Sequence, residues 1–313
     1  MQTQKNTAFI KQLSARLGFD YCGVARAEFM EEDARRLENW LNKGYQGGMA
    51  YMERNFDLRT NPGKLVPGAQ SVITLMMNYF PEEKQLPTAP KIARYAWGND
   101  YHEIIREKMN QFLAEIRIEI GEVNGRGFVD SAPVLERSWA IRSGLGWVGK
   151  NGNLINKQSG SYFFIATLIV DLELTYDDPF AGDYCGTCTK CLDACPTDAI
   201  VSPTVIDGSK CISYLTIELK DELIDPEFKD KMQGWMFGCD ICQEVCPWNR
   251  FASPHQQDAF QPLPEILEFS TAEWKLMDEE TFRKLLKHSP LKRSKWKGIQ
   301  RNLQYLAETE SNS

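Results

Sequence analysis

No run in the 313-residue sequence is long and apolar enough to cross a membrane: the two longest, Val72–Met77 and Tyr162–Val170, fall well short of the ~18 residues a spanning helix needs. The N-terminus, MQTQKNTAFIKQLSAR, lacks the apolar segment of a secretory signal. A cytoplasmic protein without membrane contact is therefore expected. Histidine is scarce too. His102, His255 and His288 are the only three, and no two stand at metal-ligand spacing, which disfavours a histidine-based metal centre. The first 175 residues hold no internal repeat, and no tract is of low complexity. With 42% apolar, 25% charged and 11% aromatic residues and a formal charge of −7, the composition is that of a globular protein. Disordered, collagen-like and coiled-coil classes are excluded.

Cysteine is present but unevenly placed. Cys22 stands alone on a predicted strand, as a small core residue would, and the other eight lie between Cys185 and Cys246. In a reducing compartment such cysteines read as metal ligands or reactive thiols rather than disulfides. The shift puts a domain boundary in the polar turn Asp177–Asp183. Before it, helix signals over 7–17, 101–120 and 134–143 mix with strand signals over 21–24, 71–79, 127–130 and 161–170. Ile104, Ile105, Met109, Phe112, Leu113 and Ile116 share one helical face. Helices around one sheet predict an α/β or α+β layered domain. After Pro264 the pattern is helical again, with capping-box spacing at Ser270–Glu273 and a second helix start at Asp278–Thr281.

Cys185, Cys188, Cys191 and Cys195-Pro196 form the C-x2-C-x2-C-x3-C-P run of bacterial ferredoxins. Cys211 and then Cys239, Cys242 and Cys246-Pro247 form a second set, with about 27 residues looped out after Cys211. Short spacings let three thiolates close on one face of a cuboidal cluster, and the cysteine before proline reaches the other cluster. This assigns Cys185, Cys188, Cys191 and Cys246 to one 4Fe–4S cluster and Cys195, Cys211, Cys239 and Cys242 to the other. Two structural zinc sites are the alternative, disfavoured by the two C-x3-C-P closures. A two-cluster ferredoxin needs only some 60 residues, so the rest of the chain is expected to use the electrons.

Gly144, Gly146, Gly149 and Lys150 imitate a dinucleotide or phosphate loop. The context fails both, because a helix precedes the glycines, turn residues follow them and Asn151 replaces the Ser or Thr that would hold magnesium. Asp130, at the end of a strand and followed by Ser-Ala-Pro, reads on spacing as a helix N-cap or Asx turn rather than a functional carboxylate. The segment Arg283–Arg301 holds eight Lys or Arg and no acid; the remainder, with 28 bases against 43 acids, stands at −15. This stripe, with His288 and Trp296, is either a solvated helix face or a nucleic-acid contact.

Four further stretches carry a resemblance: Arg94–His102 (RYAWGNDYH), Val129–Arg137 (VDSAPVLER), Gly144–Asn151 (GLGWVGKN) and Cys211–Glu218 (CISYLTIE). Together with the cysteine runs they resemble the epoxyqueuosine reductase family over nearly the whole chain. The resemblance is to a short form without the C-terminal helical-repeat domain of many members. It implies an oxidoreductase of queuosine biosynthesis that uses cobalamin and two 4Fe–4S clusters to remove the epoxide oxygen of epoxyqueuosine at the tRNA wobble position. It also implies a low-potential electron donor such as ferredoxin or flavodoxin, and a monomer. The fold class becomes α+β: a layered cobalamin- and substrate-binding domain over 1–176, a double-cluster ferredoxin-like domain over 177–262 and a helical basic tail over 263–313.

Residue by residue, the resemblance makes Asp130 the proton donor, with Tyr101 and His102 as further donors or substrate contacts. It turns Arg59, Asp130, Lys150, Ser213 and Asp240 toward the corrin, and leaves Lys292, Arg293, Lys295 and Lys297 to meet tRNA. With no Asp-x-His-x-x-Gly motif in the sequence, it implies cobalamin bound without a protein histidine on cobalt. A carboxyl beneath the apolar corrin is expected to have a raised pKa. Two other readings stand beside this one. The first is a cobalamin and iron–sulfur reductase of another substrate, such as a dehalogenase, disfavoured by the missing export signal and the basic segment. The second is an electron-transfer or RNA-binding module with no chemistry of its own.

Overall fold

Two strands that are apolar along their whole length must be covered on both faces, and this requirement organises the first half of the chain. In a computed structural model that describes residues 1–220 and 223–310, α1 (Gln2–Arg16), β1 (Tyr21–Arg26), α2 (Glu31–Asn42), β2 (Ser71–Asn78), α3 (Tyr101–Ile120), β3 (Gly125–Val129), α4 (Glu136–Arg142) and β4 (Phe163–Val170) build one layered unit. The sheet order is β1–β2–β4–β3 and every pair is antiparallel. Side chains alternate between faces along a strand. Ile73, Leu75 and Met77 of β2 and Phe164, Ala166, Leu168 and Val170 of β4 therefore meet Ile10 and Leu13 of α1 and Ile105, Met109, Phe112 and Ile116 of α3. Val72 and Ile169 turn to the other face, against Met30, Val66 and Trp139.

The predicted elements fall on these, with α3 ending on the same residues; α2 lies outside them. Its apolar stripe is short, and its exposed face is written in Glu31–Arg35 and Glu32–Arg36 pairs. Gly127 shows how tightly the layers meet, since a Cβ there would lie 2.8 Å from Met109 of α3.

A second core crosses the predicted boundaries. Ile92, Ala93 and Trp97 come from the first segment, Ile212, Leu215, Met236 and Phe237 from the cysteine-bearing segment, and Trp274, Phe282, Ile299 and Leu303 from the C-terminal helices. Those helices are α5 (Thr271–Leu276), α6 (Glu279–Leu285) and α7 (Lys295–Glu310). Ser270 and Glu273 form a reciprocal capping box on α5, and Asp278 caps α6 through the Thr281 N–H. The residues expected as a basic tail thus close a core. They also secure a π-helical turn, Tyr214–Glu218, just after Cys211. Asn302, fully buried, donates to the carbonyls of Thr216 (2.9 Å) and Met236 (2.8 Å), and Arg301 donates to those of Leu215 (2.9 Å) and Leu219 (2.8 Å).

No helix among the described residues is long and apolar enough to cross a membrane.

Candidate active site

The helix α3 and the strand β3 form a unit in which the strand runs back along the helix, bringing Asp130 beside the residues that open α3. Asp130 has φ of 50°, and the Ser131 N–H donates across it to the Val129 carbonyl at 2.6 Å. That is a γ-turn of the uncommon positive-φ form, and such strain clusters at functional sites. Its carboxylate does not cap α4, whose N-cap is Leu135. Instead Oδ2 accepts the Tyr101 hydroxyl at 2.7 Å and faces His102 Nε2 at 3.0 Å. His102 Nδ1 lies 2.8 Å from Asp100 Oδ1, and Asp100 Oδ2 lies 2.8 Å from the Lys292 ammonium. Phe164 stacks on Tyr101, with centroids 4.0 Å apart, and fixes the phenol. The Asp130 side chain remains 57% exposed, so an incoming group can reach it.

The electrostatics differ from the raised Asp130 pKa expected from sequence. Burial would lift it, but the hydrogen bonds from His102 and Tyr101 and the charge on His102 hold the carboxyl below its usual range. Burial likewise works against a charged His102; its bonds to Asp100 and Asp130 prevail and raise the imidazole to about 9. Asp100 is driven far below the carboxylate range, because the bonds from His102 and Lys292 outweigh its burial. At neutral pH the shared proton therefore sits on His102. Glu136 accepts the Asp130 N–H at 2.8 Å, and burial followed by the Asp130 charge pushes it up to about 8. A second proton is thus held next to the first.

The eight clustered cysteines lie in two neighbourhoods. Cys185, Cys188, Cys191 and Cys246 line one cavity of about 190 Å³. Cys211, Cys239 and Cys242 are pushed upward by burial; Cys211 and Cys242 feel Cys195, and Cys239 feels Cys211 and Cys242. Cys242 also feels Cys191, so the groups are adjacent. Among the described residues, no three His, Cys, Asp or Glu side chains converge on a single-ion position. The donor set of four thiols around a cavity fits the corners of a cuboidal cluster. Backbone N–H groups point at the sulfurs, from Ser213 and Tyr214 to Cys211 and from Trp248 and Asn249 to Cys246. Tyr95 feels the charges of both Asp130 and Asp240, which places the second group on the side of the carboxylate site.

The remaining predicted residues divide. Arg59 is buried, donates to the Tyr51 carbonyl at 2.9 Å and leaves Nε without a partner. Tyr51 feels Asp130, Arg293 and Arg59, so Arg59 belongs to the same region. Asp240, buried and pushed up to about 6, accepts the Arg94 N–H at 2.8 Å. Ser213 serves Cys211. Lys150 lies elsewhere, in the wall of the first cysteine cavity, donating to the carbonyls of Gly186 (2.7 Å) and Cys188 (2.9 Å). Lys292 bridges Asp100 and Glu103, and Arg293 holds Glu218 through two bonds of 2.8 and 3.0 Å. Both are exposed yet tied by ion pairs to the acids around the site; Lys295 and Lys297 are exposed as well. Trp296 faces inward, donating to the Met277 carbonyl at 2.8 Å. Sequence reasoning assigned no role to Asp100 or Glu136. Asp100 was visible as a helix cap two residues before His102; nothing local marks Glu136.

Residues 59–131 match the family described as Epoxyqueuosine reductase QueG, DUF1730, and residues 184–249 match a 4Fe-4S double cluster binding domain. An epoxyqueuosine reductase of Cyclobacterium marinum is 56% identical over 310 residues, covering 98% of this chain and 99% of that one. One of Cellulophaga algicola is 53% identical, covering 97% and 98%. A crystal structure of epoxyqueuosine reductase with an epoxyqueuosine-modified tRNA-Tyr stem loop superposes with a TM-score of 0.88 at 29% identity, covering 97% of this chain and 81% of that one. With its cysteine groups and its Asp130 site carried on that shared fold, the chain belongs to the epoxyqueuosine reductase family, and it is an oxidoreductase with a double 4Fe–4S domain.

Proposed function

We propose that the protein reduces epoxyqueuosine to queuosine at the wobble position of tRNA, with electrons passing through two 4Fe–4S clusters to a cobalamin beside Asp130. The observation that carries this reading is the open Asp130 carboxylate, strained at its backbone and sharing a proton with His102, on the side of the second cysteine group. The names of the relatives and the modified stem loop held by one of them support the substrate. Removing the epoxide oxygen as water takes two electrons and two protons. The site holds two protons at neutral pH, on His102 and on Glu136. Asp130, itself ionised, lies between them, able to take the proton from His102 and pass it to the leaving oxygen. Tyr101, its own pKa far above neutrality, keeps its proton and orients the carboxylate.

Bound cobalamin would supply a strongly reducing metal centre to the carbon–oxygen bond. Arg59, with its unpaired buried Nε, and the buried Asp240 are the residues of this chain that would hold it. Cys185, Cys188, Cys191 and Cys246 would ligate the first cluster, and Cys195, Cys211, Cys239 and Cys242 the second. Lys295 and Lys297 are the tRNA contacts of the basic stripe. A low-potential donor such as ferredoxin or flavodoxin supplies the electrons.

The test is anaerobic. Cluster-reconstituted protein, a strong reductant and epoxyqueuosine-bearing tRNA are mixed with or without cobalamin, and the nucleosides are weighed. Loss of one oxygen only with cobalamin is the expected result. An unchanged nucleoside, with both clusters and cobalamin spectroscopically intact, would contradict the reading.

A further inference from the structure

The first cysteine group opens at a basic surface on an acidic chain. Segments 150–157, 183–193 and 246–251 surround the cavity that holds Cys185, Cys188, Cys191 and Cys246. They contribute Lys150, Lys157, Lys190 and Arg250 against Asp183 and Asp193, on a protein of charge −7. Both acids are turned to their own loop: Asp183 accepts the Cys185 N–H at 2.7 Å and Asp193 the Thr189 hydroxyl at 2.7 Å. Lys157, Lys190 and Arg250 are exposed. Large aromatic surfaces lie beside two of them, with Tyr184 43% and Phe251 41% exposed. The Lys157 ammonium sits 4.6 Å from the Tyr184 ring centroid and the Arg250 guanidinium 4.4 Å from that of Phe251. Trp248 braces the rim through Trp147, at 5.0 Å.

The geometry points to this rim as the docking face for an acidic one-electron carrier protein. The inference rests on the cluster assignment above. A basic ring around an aromatic centre fits a partner that presents a carboxylate-rimmed, surface-exposed redox group, and such complementarity accelerates encounter while leaving the complex short-lived. Each encounter passes one electron from the carrier to this protein, with no bond made or broken. The first group is the receiving end because its thiols line the open cavity, whereas the second group adjoins the Asp130 site. RNA is the other polyanion a basic rim attracts; the aromatic centre directly over the cysteine cavity favours the redox partner.

The test uses oxidised flavodoxin as the probe and the cluster-reconstituted protein, with neither tRNA nor cobalamin present. Failure of the epoxyqueuosine reading would leave this measurement interpretable. Binding is followed by broadening of the flavodoxin NMR signals between about 0.05 and 0.3 M salt. The expected result is an affinity that falls with salt and that drops about tenfold or more in the K157E/K190E/R250E variant. The milder K157Q/R250Q pair is expected to show a smaller loss with unchanged cluster absorbance, which separates docking from misfolding. Equal affinity of wild type and both variants would overturn the proposal. So would a loss of tRNA affinity in the variants, measured in a separate titration of the same proteins with tRNA, while flavodoxin binding stays intact, which would make the rim an RNA face.

Discussion

At the residue scale, the chemistry turns on where one proton resides. His102 lies between Asp100 and Asp130, and its pKa of about 9 keeps it charged across the neutral range. A histidine whose folded pKa exceeds its ordinary value of 6.5 stabilises the fold fully below that value and loses the contribution as pH rises through about 9. The wild-type melting temperature is therefore expected to fall more between pH 6.5 and 9.5 than that of His102→Gln, and parallel curves would show that His102 is not charged. Turnover uses both protons, so it is expected to decline first as Glu136 loses its proton near pH 8 and further as pH passes about 9, with the second limb absent in His102→Gln. Asp130 shows how far sequence alone reaches. Its spacing fits a helix cap as well as a catalytic carboxylate, and only family resemblance separated the two. Its two donors, Tyr101 and His102, come from α3, some thirty residues earlier, so no local pattern could have shown them.

At the element scale, periodicity in the sequence found the strands, α1, α3 and the capped C-terminal helices because each signal is local. The π-helical turn was invisible, since it exists only with Asn302 and Arg301 of α7 beneath it. Asn302→Ala removes the Asn302 donor from the buried Met236 carbonyl and leaves the Thr216 carbonyl with the Ser294 hydroxyl alone, a cost of about 1–3 kcal/mol. Urea unfolding of the variant is expected to shift its midpoint accordingly and to lower the iron bound by the second group, whose Cys211 immediately precedes the turn. A midpoint equal to wild type would show that α7 does not secure the turn.

At the scale of the whole molecule, the basic stripe combines two roles that charge counting cannot distinguish. Lys292, Arg293, Lys295 and Lys297 are all exposed, but Lys292 and Arg293 are ion-paired to Asp100, Glu103 and Glu218, whereas among the described residues Lys295 and Lys297 form no ion pair. Lys295→Gln with Lys297→Gln is expected to weaken tRNA binding and reduce its salt slope by about two. Lys292→Met is expected to leave that slope largely unchanged and to raise the His102 pKa, because Asp100 loses its competing cation, moving the His102 limb of turnover upward. Identical salt slopes for the Lys295/Lys297 double variant and wild type would remove the stripe from the RNA interface. The second core draws on residues 92–97, 212–237 and 274–303 together, a joining of distant segments that composition does not show.

The most direct measurement is a single turnover of anaerobically reduced wild type and Asp130→Asn on epoxyqueuosine-bearing tRNA, with cobalamin present and the nucleosides weighed. Wild type is expected to lose one oxygen per bound tRNA. The variant should hold its clusters and bind cobalamin and tRNA, yet react about a hundredfold more slowly or worse. Conversion by Asp130→Asn at the wild-type rate would contradict the account, because the proton for the departing oxygen would then come from elsewhere.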